Sequence, residues 1–108
     1  MKYIIIIEVV SMKKTDTAAL LNSIGKKTFI KYYEVFKDAN ISQKDIIDKL
    51  ALDPQKFTST SMENKTSSAR KIFTEGLEVE ALQIIAGSKA DIKAVEKARM
   101  LLDRELKK

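Results

Sequence analysis

The chain has 108 residues and a formal net charge of +5, with 20 Lys and Arg residues against 15 Asp and Glu residues. This length fits one domain with a single modest core, and the positive balance favours a polyanionic partner. Because the sequence contains neither Cys nor His, it excludes disulfides, zinc fingers, thiol nucleophiles and histidine general bases. Only 3 Gly and 1 Pro interrupt the chain, which favours an all-α fold, a small orthogonal helix bundle.

Residues 1–11 differ in composition from the rest of the chain. Residues 3–7 are all apolar and rich in Ile, and Val9 and Val10 follow after Glu8. This density of β-branched residues is typical of a strand, and the run is too short to span a membrane. One interpretation is an N-terminal β-strand that is buried or paired with a partner. The other is an extension ahead of a single helical domain formed by residues 12–108, since a lone strand has no sheet to join.

Two helices are predicted in the first third of the chain. The first begins at Asp16 or Thr17 and ends at Gly25. The second covers residues 28–37 and is the most apolar, so we expect it to be the central packing element. Its aromatic residues recur at helical spacing, which is more typical of a core than of stacking on single-stranded nucleic acid. They are Phe29, Tyr32, Tyr33 and Phe36.

Residues 42–73 carry the pattern of two helices joined by a short turn. Ser42 is placed to cap the first helix, with Asp45 completing a capping box. Ile46 and Leu50 then follow at helical spacing.

Two registers are open for the second of these helices. Asp53 and Pro54 form a helix-start signal, since Asp caps well and Pro suits the first helical position. In the alternative register, the long helix begins near Thr58, after a loop over residues 52–57.

The order of residues 45–57, DIIDKLALDPQKF, resembles the core of the helix-turn-helix DNA-binding family in bacterial regulators. Residues 68–71, SARK, are similar to the end of the DNA-reading helix in sigma-factor region four. The resemblance covers about a third of the chain. It implies an apolar set between the two helices and a DNA-facing set at the start of the second helix. The first set is Ile46, Leu50, Leu52 and Phe57, and the second is Gln55, Lys56, Thr58 and Ser59.

One side of the long helix is apolar and therefore predicted to pack inward, while the other combines hydroxyl groups with cations. Such groups suit phosphate oxygens and base edges. In the alternative register, the reading face moves toward Ser61, Lys65 and Ser68. The full predicted DNA-binding set is Gln55, Lys56, Thr58, Ser59, Ser61, Lys65, Ser68, Arg70 and Lys71. Four further lysines are expected to flank the helix on phosphates, namely Lys13, Lys14, Lys26 and Lys27.

Two more helices are predicted after the long helix. A short one has Glu78 and Glu80 in its first turn, where acids favour the helix dipole, and ends at Gly87. Ser88 and Asp91 form a capping box for the last helix. Its apolar stripe docks on the core or joins two copies of the chain, and it consists of Ile92, Val95, Ala98, Leu102 and Leu106.

The sequence therefore predicts a cytoplasmic protein of bacterial type that binds double-stranded DNA as a homodimer. It would act as a regulator or an accessory factor on plasmid, phage or chromosomal DNA. Its carboxylates lie beside lysines at helix-surface spacing, as with Asp45 and Lys49, and there is no phosphate-binding Gly-rich loop. We therefore expect neither catalysis nor a metal, a cofactor or a membrane contact. The alternative is a helical protein–protein interaction module without DNA binding.

Overall fold

Residues 16–107, the part of the chain that the computed structural model describes, contain seven helices. In chain order they are α1 (Thr17–Ile24), α2 (Lys26–Lys31), α3 (Tyr33–Lys37), α4 (Gln43–Ala51), α5 (Ser59–Thr74), α6 (Glu78–Ala86) and α7 (Ile92–Leu106). The all-α prediction is confirmed for these residues, and the proposed strand at residues 3–10 lies outside them. None of the seven helices is long and apolar enough to cross a membrane.

The boundary between α1 and α2 depends on Gly25. Of the two predicted starts of α1, Asp16 is the cap, its carboxylate accepting from the Ala19 N–H at 3.2 Å. Gly25 ends the helix with φ of 92°, a conformation that a side chain would strain, and its N–H donates to the Leu21 carbonyl at 2.7 Å. This sharp turn lets α2 begin at Lys26, ahead of the predicted start.

The helix predicted over residues 28–37 is corrected to two short helices that meet at Tyr32. Tyr32 has φ of −108° and ψ of 23°, outside the helical range, and its hydroxyl donates to Asp53 at 2.6 Å. The predicted central role of the segment is confirmed. Phe29, Tyr33 and Phe36 are fully buried in the core.

The connection between α4 and α5 decides between the two registers. Ser42 caps α4 as predicted, its Oγ accepting from the Asp45 N–H at 3.1 Å. No helix begins at Pro54, however, so the first register is wrong. Thr58 caps α5 instead, its Oγ1 accepting from the Ser61 N–H at 3.1 Å. The helix start of the alternative register is therefore confirmed, and seven residues, 52–58, join the two helices.

The prediction for α6 is confirmed, whereas the predicted cap of α7 is corrected. The bounds predicted for α6 are confirmed, with Glu78 in its first turn and Gly87 after its end. Asp91 alone caps α7, its carboxylate accepting from the N–H groups of Lys93 and Ala94 at 3.1 and 3.2 Å. Ser88 is not part of this cap, because its hydroxyl donates to the Ile85 carbonyl at 2.7 Å and so closes the end of α6.

The apolar stripe of α7 is corrected in part. Its buried side also includes Ala94 and Leu101, because α7 packs on α2 and α6 along that side. A stripe that joined two copies would therefore share residues with the chain's own core. Of the predicted stripe, Val95 and Ala98 are buried, Leu102 is half-buried, and Ile92 and Leu106 are 70% and 62% exposed.

Glu105 fixes the end of α7 on α3. Its carboxylate accepts from the Tyr33 hydroxyl at 2.8 Å and from Lys37 Nζ at 2.7 Å, and its side chain is only 5% exposed. Burial and the hydrogen bond to Glu105 raise the pKa of Tyr33 well above its usual range. The helix α7 also packs on α2, and residues of its first turns line a cleft with α2, so two lysine-bearing helices are neighbours.

Candidate nucleic-acid interface

Part of the predicted reading side of α5 faces α1. Lys65 Nζ donates to the Ile24 carbonyl at 2.8 Å and lies 5.1 Å from the centroid of the Phe57 ring. The Ser68 hydroxyl donates to Ser23 Oγ at 3.3 Å. The alternative register, in which α5 begins after Thr58, had Ser61, Lys65 and Ser68 as its reading residues. The structure has this helix start, but Lys65 and Ser68 face α1.

Arg70 is occupied by contacts within the chain. Its Nη1 donates to the carbonyls of Phe36 and Asp38 at 3.2 and 2.9 Å, and its Nη2 donates to the Ile41 carbonyl. These carbonyls lie at the end of α3 and in the connection to α4. The guanidinium therefore ties that connection to α5, and its N–H groups are directed at the backbone.

The exposed side of α5 is not basic. Ser61 is half-buried, and Lys71 Nζ lies 3.9 Å from the Glu75 carboxylate. The exposed residues of the helix include one acid and one lysine, so this side has no surplus of positive charge. They are Ser59, Thr60, Glu63, Asn64, Ser67, Lys71 and Thr74.

The remaining predicted residues lie together in and after the loop before α5. Gln55 lines a cleft of about 260 Å³ together with Lys27 and Lys31 of α2. Amide, hydroxyl and ammonium groups that donate hydrogen bonds are therefore concentrated at this end of the helix. The exposed predicted residues here are Gln55, Lys56, Thr58 and Ser59.

Asp53 fixes the position of this loop. Its buried carboxylate accepts from Lys31 Nζ at 2.7 Å, from the Tyr32 hydroxyl at 2.6 Å and from the Gln55 N–H at 2.8 Å. These hydrogen bonds, that of Lys31 foremost, lower the pKa of Asp53 to about 2. Burial and the bond to Asp53 raise the pKa of Tyr32 to about 12. Asp53 was predicted to cap a helix, and it instead holds the loop against α2 and α3.

A larger cleft of about 490 Å³ lies between α2 and α7, and we call it the basic groove. Sequence reasoning had named Lys27 as a phosphate contact but missed the two lysines of α7, because the charges of that helix are balanced in sign. The i,i+4 spacing of the lysines on each helix was visible, but nothing local indicated that the helices are neighbours. The basic groove is lined by Lys27, Ile30, Lys31, Asp91, Ile92, Lys93, Ala94 and Lys97.

The lysines that were predicted to flank the reading helix on phosphates differ in their exposure. Lys26 is half-buried at the start of α2, whereas Lys27 is exposed. Lys13 and Lys14 lie outside the described residues.

No family model, curated protein or solved structure matches this chain. The chemistry of the site therefore rests on its own residues. Within residues 16–107, no three acidic side chains lie close enough together to hold a metal ion. Among the charged residues that line the two clefts, lysines outnumber acids, with four against Asp91 in the basic groove and two against Asp53 in the cleft of Gln55. Ammonium groups bind anionic oxygens.

Proposed function

We propose that the protein binds double-stranded DNA, as a regulator or an accessory factor, with the loop before α5 and the first turn of that helix as its contact surface. The observation that carries this proposal is the position of Gln55, exposed and sharing a cleft with Lys27 and Lys31. A group able to read a base edge thus lies beside Lys27, a cation that forms no ion pair within residues 16–107 and is able to hold the backbone.

The residues at this surface have complementary uses. The Gln55 amide can form two hydrogen bonds with adenine in the major groove. Lys56 is suited to phosphates, and the hydroxyls of Thr58 and Ser59 to phosphates or base edges. The positive end of the α5 dipole adds to their attraction for a phosphate. Because one such module buries little surface on DNA, two copies on neighbouring half-sites are the arrangement we expect.

This proposal moves the contact surface from the side of α5 to its start. Lys65 and Arg70 donate to backbone carbonyls of other segments, so using them on DNA would cost the contacts that hold α1 and the α3–α4 connection. The loop residues carry no such cost, because Gln55 is bound through its backbone N–H and its side chain lines the cleft.

A second candidate function is a protein-interaction module, and Leu52 is the observation that favours it. Leu52 is 84% exposed and lines a separate cleft of about 390 Å³ with Ile41, Asp45, Asp48 and Lys49. An exposed leucine beside the half-buried Ile41 is the kind of surface that a protein partner covers.

A fluorescence titration with random-sequence duplex over a salt series tests the DNA proposal. Binding should weaken with salt, with a log–log slope of roughly −0.9 for each phosphate contacted. After a preferred sequence has been selected from random DNA, Gln55→Ala should reduce the preference for it more than the affinity for random duplex. Gln83→Ala, an exposed glutamine on α6, is the matched control. Absence of binding at low salt would overturn the proposal.

A further inference from the structure

The basic groove presents two pairs of lysines that face each other across one cleft. Lys27 and Lys31 are one turn apart on α2, and Lys93 and Lys97 are one turn apart on α7. Residues at this spacing lie on the same side of a helix, so each wall of the groove carries a short row of ammonium groups. Ile30 and Ala94, both buried, form part of its apolar lining.

The positive charge of this groove is largely uncompensated within the chain. Of the four lysines, Lys31 pairs with Asp53 at 2.7 Å. Within residues 16–107, the other three form no ion pair. Among the described residues, Asp91 is the one acid that lines the groove, and it accepts from two N–H groups at the start of α7. Like charges held around one cleft repel each other, and a bound anion removes that repulsion.

The size and continuity of the groove indicate which anion it takes. A cleft of about 490 Å³ has the volume of a small-ligand site, so it accommodates part of one backbone and not a whole duplex. Lys27 and Lys31 line this groove and also the cleft that contains Gln55. A strand contacted by Gln55 can therefore continue directly between α2 and α7.

We propose that the basic groove is a second attachment site for DNA, in which Lys27 of α2 and Lys93 and Lys97 of α7 bind consecutive phosphates of one strand beside the loop before α5. This inference rests on the proposed function, since it assigns a further site to the same ligand. Lys93 and Lys97 are its most specific residues, because they belong to a helix that contributes nothing to the reading loop.

The test compares two variants that lose the same charge. Lys93→Gln with Lys97→Gln removes two lysines from the groove, and Lys44→Gln with Lys49→Gln removes two exposed lysines from α4. In a duplex titration over a salt series, the groove variant should have a log–log slope shallower by about 1.8, at about 0.9 per phosphate contact. At 0.1 M salt, this corresponds to an affinity loss on the order of 60-fold if counterion release is the whole contribution. The α4 variant should keep the slope of the unaltered protein.

Neutral phosphates in the DNA locate the contact independently. Methylphosphonates are placed two at a time along one strand of the duplex. One pair of positions should weaken binding by the unaltered protein and have little further effect on the groove variant, since that variant has already lost the contact. Thermal unfolding of each variant checks that the fold is intact.

The possible outcomes separate the two proposals. If the unaltered protein binds no duplex at any salt concentration, both the proposed function and this inference are overturned. If it binds duplex while both variants keep its slope and affinity, only the inference is overturned. If the α4 variant loses as much duplex affinity as the groove variant, the four lysines contribute only through the general surface charge, and the inference is again overturned.

Discussion

The side of α5 and the basic groove both contain cations, but their availability differs: within residues 16–107, three of the four groove lysines form no ion pair, and Lys31 alone pairs with Asp53. On α5, Lys65 and Arg70 donate to carbonyls of neighbouring segments, and Lys71 lies near Glu75. In the groove, Lys93 and Lys97 are exposed. A basic stretch of sequence therefore becomes a basic surface only where packing does not use its cations.

Replacing Arg70 should have the largest effect on stability. Arg70→Ala removes hydrogen bonds to three backbone carbonyls, and charged hydrogen bonds of this kind contribute about 1.5–3 kcal/mol. We expect the free energy of unfolding, measured in urea, to fall by about 2–3 kcal/mol. Arg99→Ala, on the exposed side of α7, should change it by less than about 0.5 kcal/mol. If the Arg70→Ala protein is as stable as the unaltered protein but no longer binds DNA, the guanidinium belongs to the DNA surface and not to the packing of α5.

Asp53→Asn should destabilise the protein in a pH-dependent way. The folded pKa of Asp53 is about 2, below the value of about 4 expected in the unfolded chain. The ionised carboxylate therefore stabilises the fold above about pH 4, and this contribution disappears as the pH falls through 2. We expect a loss of about 1–2 kcal/mol at pH 7 that shrinks toward pH 2.

Chemical unfolding at pH 7, 4 and 2 measures this difference between the variant and the unaltered protein. Asp48→Asn is the control, because that carboxylate is 63% exposed and its ion pair with Lys44 is a surface pair. A difference for Asp53→Asn that stays constant across this range would show that the carboxylate does not anchor the loop through its charge.

Replacing Lys65 should lower the free energy of unfolding more than replacing Lys71, although both effects are smaller than those at Arg70 and Asp53. Lys65→Met keeps an apolar stem near Phe57 but loses the hydrogen bond to the Ile24 carbonyl, at a cost of about 1 kcal/mol. Lys71→Met loses only a long surface ion pair with Glu75 and should cost less than about 0.5 kcal/mol. Thermal unfolding compares them, and equal stability for the two variants would mean that Lys65 is as available to solvent as Lys71.

Leu52→Ser should have the smallest effect. Because this side chain is 84% exposed, its replacement should change the free energy of unfolding by no more than about 0.5 kcal/mol. Duplex affinity, measured by the same titration, should also be unchanged, since Leu52 lines neither the basic groove nor the cleft with Gln55. A loss of DNA binding in a protein that remains folded would extend the DNA surface onto α4 and its cleft.

The features that the sequence predicted correctly depend on interactions within one or two helical turns. The cap at Ser42 and the end of α1 at Gly25 each depend on residues up to four positions away. Helical spacing likewise identified the buried aromatic residues of α2 and α3, because burial of one side of a helix leaves a local repeat.

Only the tertiary structure decided the features that depend on distant partners. Asp53 and Pro54 satisfy the local rule for a helix start, but Lys31 and Tyr32, 22 and 21 residues away, use the Asp53 carboxylate instead. Tyr33 and Glu105 are separated by 72 residues, and their contact helps to place α7 beside α2. By itself, the sequence determined that residues 16–107 are mostly helical and that the chain is basic and without thiol or imidazole chemistry. Helix packing decided which lysines share a surface. The sequence gives the order of the charges along the chain, whereas the electric field depends on the distances between them in space.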